Sequence, residues 1–269
     1  MERGTRRDVA VFDRDASTHG GYLYTTSSQL STRLAIGRML DAILGLRQFA
    51  GLRVLDIGCG DGFLSQSYQE RGHPRQLVGM DPAPSAVKVA HGRLVGTKAR
   101  FLVGNGHHLP FVADSFDLAI LMGVLHHDDV PPATIREALR VAREVIILEP
   151  NGYNPGLKVI ERVSAYHREH GEKSYPAERL RRWVSAGGGQ VIRQVFAGFV
   201  PIFCPDVMAR AFKLAEPVLE RMPVANMLGC AYCVILARRR ERPLGAAYAA
   251  GDGDDGARGR PAPLSDPTG

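Results

Sequence analysis

No run of about eighteen apolar residues occurs anywhere in the 269-residue chain, which excludes a membrane-spanning helix. The opening MERGTRRDVAVFDRD is charged and lacks the apolar core of a secretory signal, so a cytoplasmic location is expected. Cysteine is scarce. Cys59, Cys204, Cys230 and Cys233 form no disulfide framework, as suits a reducing compartment. Cys230 and Cys233 have C-x-x-C spacing but no second ligand pair, and they sit in the apolar run CAYCVILA. Buried strand thiols are therefore expected there, and no metal. Internal repeats are absent. So is any RNA-binding module or interleaving of aromatic with basic residues, and nucleic acid is not an expected partner.

What is present suits one α/β domain: 45% of residues are hydrophobic, enough for a substantial core. The formal charge of +6 is uneven. Residues 241–269 hold three Arg against one Glu and four Asp, a balance of −2 that leaves +8 on residues 1–240. That excess reads as a solvated, Arg-rich surface. The last segment is rich in Gly, Ala, Pro and Asp and is expected to be a disordered tail. Residues 1–50 read as a helical or lid segment and 51–240 as the main domain, with insertions near 151–174 and 202–228.

Between Gly51 and Ala237, short apolar runs alternate with helical patterns, the signature of a parallel sheet with crossover helices. The predicted strands are 53–58, 76–81, 99–104, 116–123, 144–150, 190–199 and 230–237. Their unbroken hydrophobicity is what strands covered on both faces require. Helices are predicted from Phe63 to Arg71 with Gly72 as the terminating residue, from Pro84 to Arg93, and onward from Pro131. Others fall near Leu30–Leu44, Leu157–His167, Pro176–Ala186 and Val207–Leu219.

The chemistry-bearing signal is VLDIGCGDG, residues 54–62. An apolar strand runs into Asp56, then come Gly58, Gly60 and Gly62, then a helix. Glycine lets backbone turn tightly and approach a ligand, and the helix aims unpaired N–H groups at it. Asp56 stands where a carboxylate meets a ligand ammonium. A dinucleotide fingerprint G-x-G-x-x-G fails, because Phe63 occupies the third glycine position. In VGMDP, Asp81 ends the next strand, where a carboxylate accepts from both hydroxyls of a ribose. Capping the helix that follows Pro82 is the alternative.

VLDIGCGDG, VGMDPAPSAVKVA, FLVGNGHHLPFVADSFDLAI and LMGVLHHDD resemble, in order, the motifs of class I methyltransferases, notably the broad small-molecule group. The resemblance implies a Rossmann-like seven-stranded sheet of order 3-2-1-4-5-7-6 with the last strand antiparallel, and S-adenosylmethionine as cofactor. It assigns Asp56, Gly58 and Gly60 to the methionine part, Asp81 to the ribose, Asn105 and Gly106 to the adenine, and Gly123 to the wall after strand four. Cys59, Gly62 and Pro82 join the cofactor-binding set. Asn105 replaces the Asp usual in the family; its amide offers both donor and acceptor. The family's Arg-x-Leu-Lys-Pro-Gly-Gly turn is replaced by LRVAREVIILEPNGYNP. LEPNGYNPGLK and AYHREHGEKSYP resemble a bacterial subgroup linked to cell-surface glycan, lipid or specialised-metabolite pathways. The implied acceptor is a small molecule, lipid or glycan precursor. A non-catalytic cofactor-binding scaffold and an RNA methyltransferase are the alternatives.

Ligands of open α/β sheets bind beyond the carboxyl ends of the strands, which here carry His126, His127, Glu149, Asn151 and Asn154. His126 or His127 is the candidate general base, and Glu149 is a candidate for binding or deprotonating an acceptor. His107 and His108 lie in the adenine loop and are not expected to do chemistry. Asp117, at the opposite edge of the sheet, is expected to be structural. The segment around Tyr22 and Tyr24 is expected to fold over bound cofactor. Val207, Phe212, Ala215 and Leu219 are expected to pack on the domain, with a dimer or membrane-surface helix as the alternative for Val207–Leu219.

Overall fold

The computed structural model describes residues 3–163, 173–202 and 204–240. Met1–Arg239 forms one compact unit, and nearly all of Arg240–Gly269, including the expected tail, lies outside the described residues. So does 164–172, the middle of the first insertion.

The strands are β1 (Arg53–Ile57), β2 (Gln76–Asp81), β3 (Arg100–Val103), β4 (Phe116–Met122), β5 (Ala142–Pro150), β6 (Gly189–Ala197) and β7 (Tyr232–Arg239). They form one sheet of order 3-2-1-4-5-7-6. β1 to β5 run parallel, and β7 is antiparallel to both β5 and β6. Side chains alternate across a strand, so the apolar runs feed two cores. Leu55, Ile57, Val145 and Ile147 join Ile135, Leu139 and Leu180 on one face. Val54, Ile146 and Leu148 join Met39, Ile43 and Tyr68 on the other.

The helices are α1 (Arg3–His19), α2 (Leu23–Thr26), α3 (Leu30–Leu46), α4 (Phe63–Gly72), α5 (Pro84–Arg93), α6 (Pro131–Val141), α7 (Pro155–Val163), α8 (Ala177–Ala186), α9 (Asp206–Leu219) and α10 (Pro223–Gly229), with a short 3-10 turn at Leu125–His127. Two expectations shift. Gly72 lies inside α4, and His73, at φ 50°, takes the left-handed position that ends the helix. A Cβ on Gly72 would stand 3.0 Å from Phe49, so this glycine serves close packing instead. Cys230 precedes β7, while Cys233 is within it. Both are buried, and burial pushes their thiols up to about 12.

α1 falls in the 1–50 segment read as helical or a lid, where the sequence reading places no individual helix before Leu30. Val9, Phe12 and Ala16 nevertheless have helical spacing, and Phe12 and Ala16 pack with Tyr22, Ala83 and Ala86. The Asp13 carboxylate accepts from the Ser85 N–H at 2.7 Å, tying α1 to the first turn of α5. Asp117 accepts from the Arg53 backbone and guanidinium, which hold its carboxyl down at about 2.

Candidate active site

The carboxyl ends of β1 to β5 and the segments above them enclose a cavity of about 620 Å³. A second void of about 20 Å³ adjoins it, bounded by Asp56, Gly58, Cys59, Asp61 and Thr25.

The glycine loop is built by backbone. Gly58 and Cys59 donate N–H bonds to the Met80 carbonyl at 2.7 and 3.1 Å, folding the loop over the end of β2. Gly58 has φ 75°, and a Cβ there would come 2.4 Å from Val124. Gly60, at φ 53°, is approached equally closely by the Tyr22 ring, so neither position tolerates a side chain. Gly62 lines neither void; a Cβ there would meet Ala90 at 2.8 Å, on α5. The Cys59 thiol is buried, and burial drives it well away from thiolate. What the loop presents at Cys59 is therefore mainly backbone.

Two buried carboxylates flank this loop. Asp56 accepts from the Ser65 hydroxyl at 2.5 Å, yet burial pushes its carboxyl up to about 7, with the Asp81 charge adding to the rise. Asp81 accepts from Gly60 N–H and Ala83 N–H, each at 2.9 Å. Burial outweighs both bonds and raises it to about 6. Asp81 thus braces the turn into α5 and also lines the large cavity, so the capping and ligand-facing roles coexist. Carboxylates desolvated in this way gain most from a ligand that brings positive charge or hydroxyl donors.

Pro82, Asn105, Gly106 and Gly123 all line the cavity. Asn105 Oδ1 accepts from the His107 N–H at 3.0 Å, which leaves the Nδ2 donor as the distinctive group at this position. His107 bonds Asp128 through Nε2 at 2.6 Å, and Asp128 also accepts from the Thr134 hydroxyl.

His126 and His127 line the cavity with their rings 4.0 Å apart. His126 Nδ1 meets Glu149 Oε2 at 2.7 Å. Glu149 is 0% exposed, and its other oxygen accepts the N–H groups of Val124 and Leu125 at 3.0 and 2.7 Å. It therefore stands behind His126 and off the cavity wall. Asn151 and Asn154 also turn inward, donating to carbonyls of Met227, Gly229 and Cys230. His127 packs edge-on against Phe12 of α1.

The sequence reading missed Asp61. Its carboxylate accepts from the Tyr22 N–H at 3.2 Å, the Thr25 hydroxyl at 2.5 Å, the Phe63 N–H at 3.1 Å and Arg93 at 3.3 Å. The available signal was an acidic residue two positions before a helix, where it bonds the first helical N–H. Tyr22 is buried on the cavity wall, and Tyr24 lies within α2.

Sheet order, glycine loop and paired strand-end carboxylates define the class. This is a class I S-adenosylmethionine-dependent methyltransferase fold. Residues 55–147 match the family described as a methyltransferase domain. A ubiquinone biosynthesis O-methyltransferase of Azorhizobium caulinodans is 31% identical over 144 residues, covering 53% of this chain and 52% of that protein. The chain thus spans about half the length of that curated relative. Among solved structures, a possible histamine N-methyltransferase of Thermotoga maritima has a TM-score of 0.62 at 17% identity, covering 87% of this chain and all of that one. The magnesium protoporphyrin IX methyltransferase of Synechocystis, solved with S-adenosylhomocysteine, has a TM-score of 0.60 at 16% identity over 86% of this chain and 99% of that one. These two likenesses concern the fold.

Proposed function

We propose that the protein transfers a methyl group from S-adenosylmethionine to a hydroxyl of an apolar small molecule or lipid. The observation that carries this reading is the pair of desolvated carboxylates, Asp56 and Asp81, beside a backbone-lined loop and a cavity large enough for cofactor and acceptor together. Asp56 suits the ammonium of the methionine part, Asp81 the ribose hydroxyls, and Asn105 with Gly106 the adenine edge. When bound, S-adenosylmethionine supplies an electrophilic methyl on a sulfonium.

Beyond the cofactor residues, the cavity wall is mostly apolar, with Val9, Phe12, Leu157, Ile160, Val200 and Ile202. Such a wall favours an apolar acceptor over a glycan precursor. With Glu149 accepting the Nδ1 proton, His126 Nε2 is the basic nitrogen of that ring, suited to take a hydroxyl proton as the oxygen attacks in line. Glu149 then stabilises the imidazolium. The relative's name as an O-methyltransferase supports oxygen as the acceptor atom. Residues 3–26 act as a cover over the cofactor end, and the segments around 155–163 and 200–202 as acceptor walls.

Isothermal calorimetry tests the reading. The protein should bind S-adenosylhomocysteine and not NAD, and Asp81→Ala should cost about 1–3 kcal/mol of that binding, the range for charge-assisted hydrogen bonds. Binding of NAD alone, or unchanged affinity in a folded Asp81→Ala protein, would remove the proposal's basis.

A further inference from the structure

Of the sixteen large apolar side chains at exposed positions among the described residues, eleven lie in Val159–Val163 and Val207–Leu228. Soluble monomers usually scatter such side chains singly, so this concentration calls for a partner. α9 shows how it arises. Ala209, Phe212 and Glu216 turn inward, and α9 packs on α3. Glu216 accepts from the Phe199 N–H at 3.0 Å and the Lys213 ammonium at 2.6 Å. The opposite stripe, Val207, Ala211, Leu214 and Val218, is spaced by four, three and four residues and points to solvent. Val207 is 81%, Leu214 84% and Val218 62% exposed. This reverses the expectation for Val207 and Ala215, both of which are exposed. α10 adds Val224, Met227 and Leu228 and packs against α7.

The charges around these helices are one-sided. Glu161 is held by Lys158, Glu216 by Lys213 and Glu220 by Arg38. Arg210 and Arg221 are exposed, and on α9 only Asp206 opposes them. The region is also continuous with the cavity, since Leu157 and Ile160 of α7 line that cavity and Ile160 is at the same time exposed.

We propose that α7, α9 and α10 seat the protein on an anionic bilayer surface, with the acceptor cavity opening beside it. Apolar side chains enter the headgroup boundary while arginines meet lipid phosphates, and no helix among the described residues is long and apolar enough to cross. A second copy of the chain fits less well, because a two-fold pairing would gather the exposed arginines of both copies, Arg210 and Arg221, in one interface with only Asp206 of each α9 to oppose them. The docking itself does not depend on the proposed reaction. The position of the cavity mouth does rest on it.

The test is co-sedimentation of the full chain with vesicles of phosphatidylcholine alone, or with about 30% phosphatidylglycerol to supply surface charge. The chain should pellet with the anionic vesicles and much less with the neutral ones. Leu214→Glu with Val218→Glu should weaken pelleting at least tenfold, roughly, since the stripe then carries charge into the boundary. Arg210→Gln and Arg221→Gln should each weaken it roughly fivefold. S-adenosylhomocysteine affinity should be the same in every variant; its absence in the parent protein would strike the proposed function and leave the docking result standing. Failure to pellet, equal pelleting with neutral vesicles, or pelleting indifferent to the Leu214→Glu, Val218→Glu pair would overturn the proposal. So would a dimer seen by light scattering that this pair dissolves, which would assign the face to a second copy.

Discussion

The two halves of the cavity, proposed for cofactor and for acceptor, are made differently. The cofactor half is backbone: positive-φ glycines, N–H groups donated to Met80 O and Asp81, and carboxylates fixed at the ends of neighbouring parallel strands. The acceptor half is side chain, gathered from α1, the Leu125–His127 turn, α7 and residues 200–202. Backbone geometry accepts few substitutions, so the first half is narrow in chemistry. A wall of valine, isoleucine and phenylalanine accepts many, so on the proposed reading the second half would set substrate choice. His126 sits at the join, in the acceptor half but held by Glu149 at the end of β5.

That join is where the largest effect is expected. If His126 is the base, His126→Ala should keep S-adenosylhomocysteine affinity while turnover of a phenol surrogate falls by about 10²–10⁴-fold. His127→Ala should act mainly on acceptor KM, since its ring packs on Phe12. Glu149→Gln, which leaves His126 in place but removes the carboxylate, should lower kcat and flatten its pH dependence. Near-normal turnover in both histidine variants would reduce the reaction to alignment alone.

The same division explains what the sequence disclosed. β2 and α5 fall at the expected residues, because short-range pattern and proline placement decide them. Asp56, Gly58, Asp81, Asn105 and Gly123 were legible because a contiguous motif carries each of them. The His126–Glu149 pair was only half legible: both residues were candidates, but their contact spans 23 positions and depends on β4 lying beside β5. Phe12 against His127 and Asp61 against Tyr22 were invisible, since nothing in residues 3–26 specifies where the segment docks.

Asp61 tests whether the cover belongs to the cofactor half. Asp61→Ala removes the carboxylate that accepts from the Tyr22 N–H, while the Thr25 hydroxyl keeps the Tyr22 carbonyl as an acceptor at 2.9 Å. Loss of such a bond in a buried site costs about 1–3 kcal/mol, shared between stability and ordering of the segment. Amide exchange at Tyr22 should quicken, and S-adenosylhomocysteine should bind roughly five- to thirtyfold more weakly, on the same energy scale. Unchanged exchange at Tyr22 would show that packing of Phe12 and Ala16 holds the segment without Asp61.

A pH dependence separates the halves without any substitution. Asp56 and Asp81 stand near 7 and 6 in the ligand-free fold, each raised chiefly by burial. A carboxyl raised above its unfolded value keeps its proton in the folded state after the unfolded chain has lost it. These two carboxyls therefore contribute stability on the acid side that is lost as pH rises from about 4 to 7. On the proposed reading, bound S-adenosylhomocysteine would bring an ammonium to Asp56 and hydroxyls to Asp81, favouring the ionised forms. Its affinity should then climb by up to about tenfold per unit between pH 5.5 and 7 and level off by pH 8, each tenfold being roughly 1.4 kcal/mol and about 3–5 °C in Tm. Asp117, already ionised throughout this window, adds no slope. Scanning fluorimetry with and without ligand gives the difference directly, and Asp56→Asn should remove most of it. A ligand-induced Tm shift equal at pH 5.5 and 8 would mean that the carboxylates are charged before the ligand arrives. The backbone of the loop, and not its desolvated acids, would then carry the affinity.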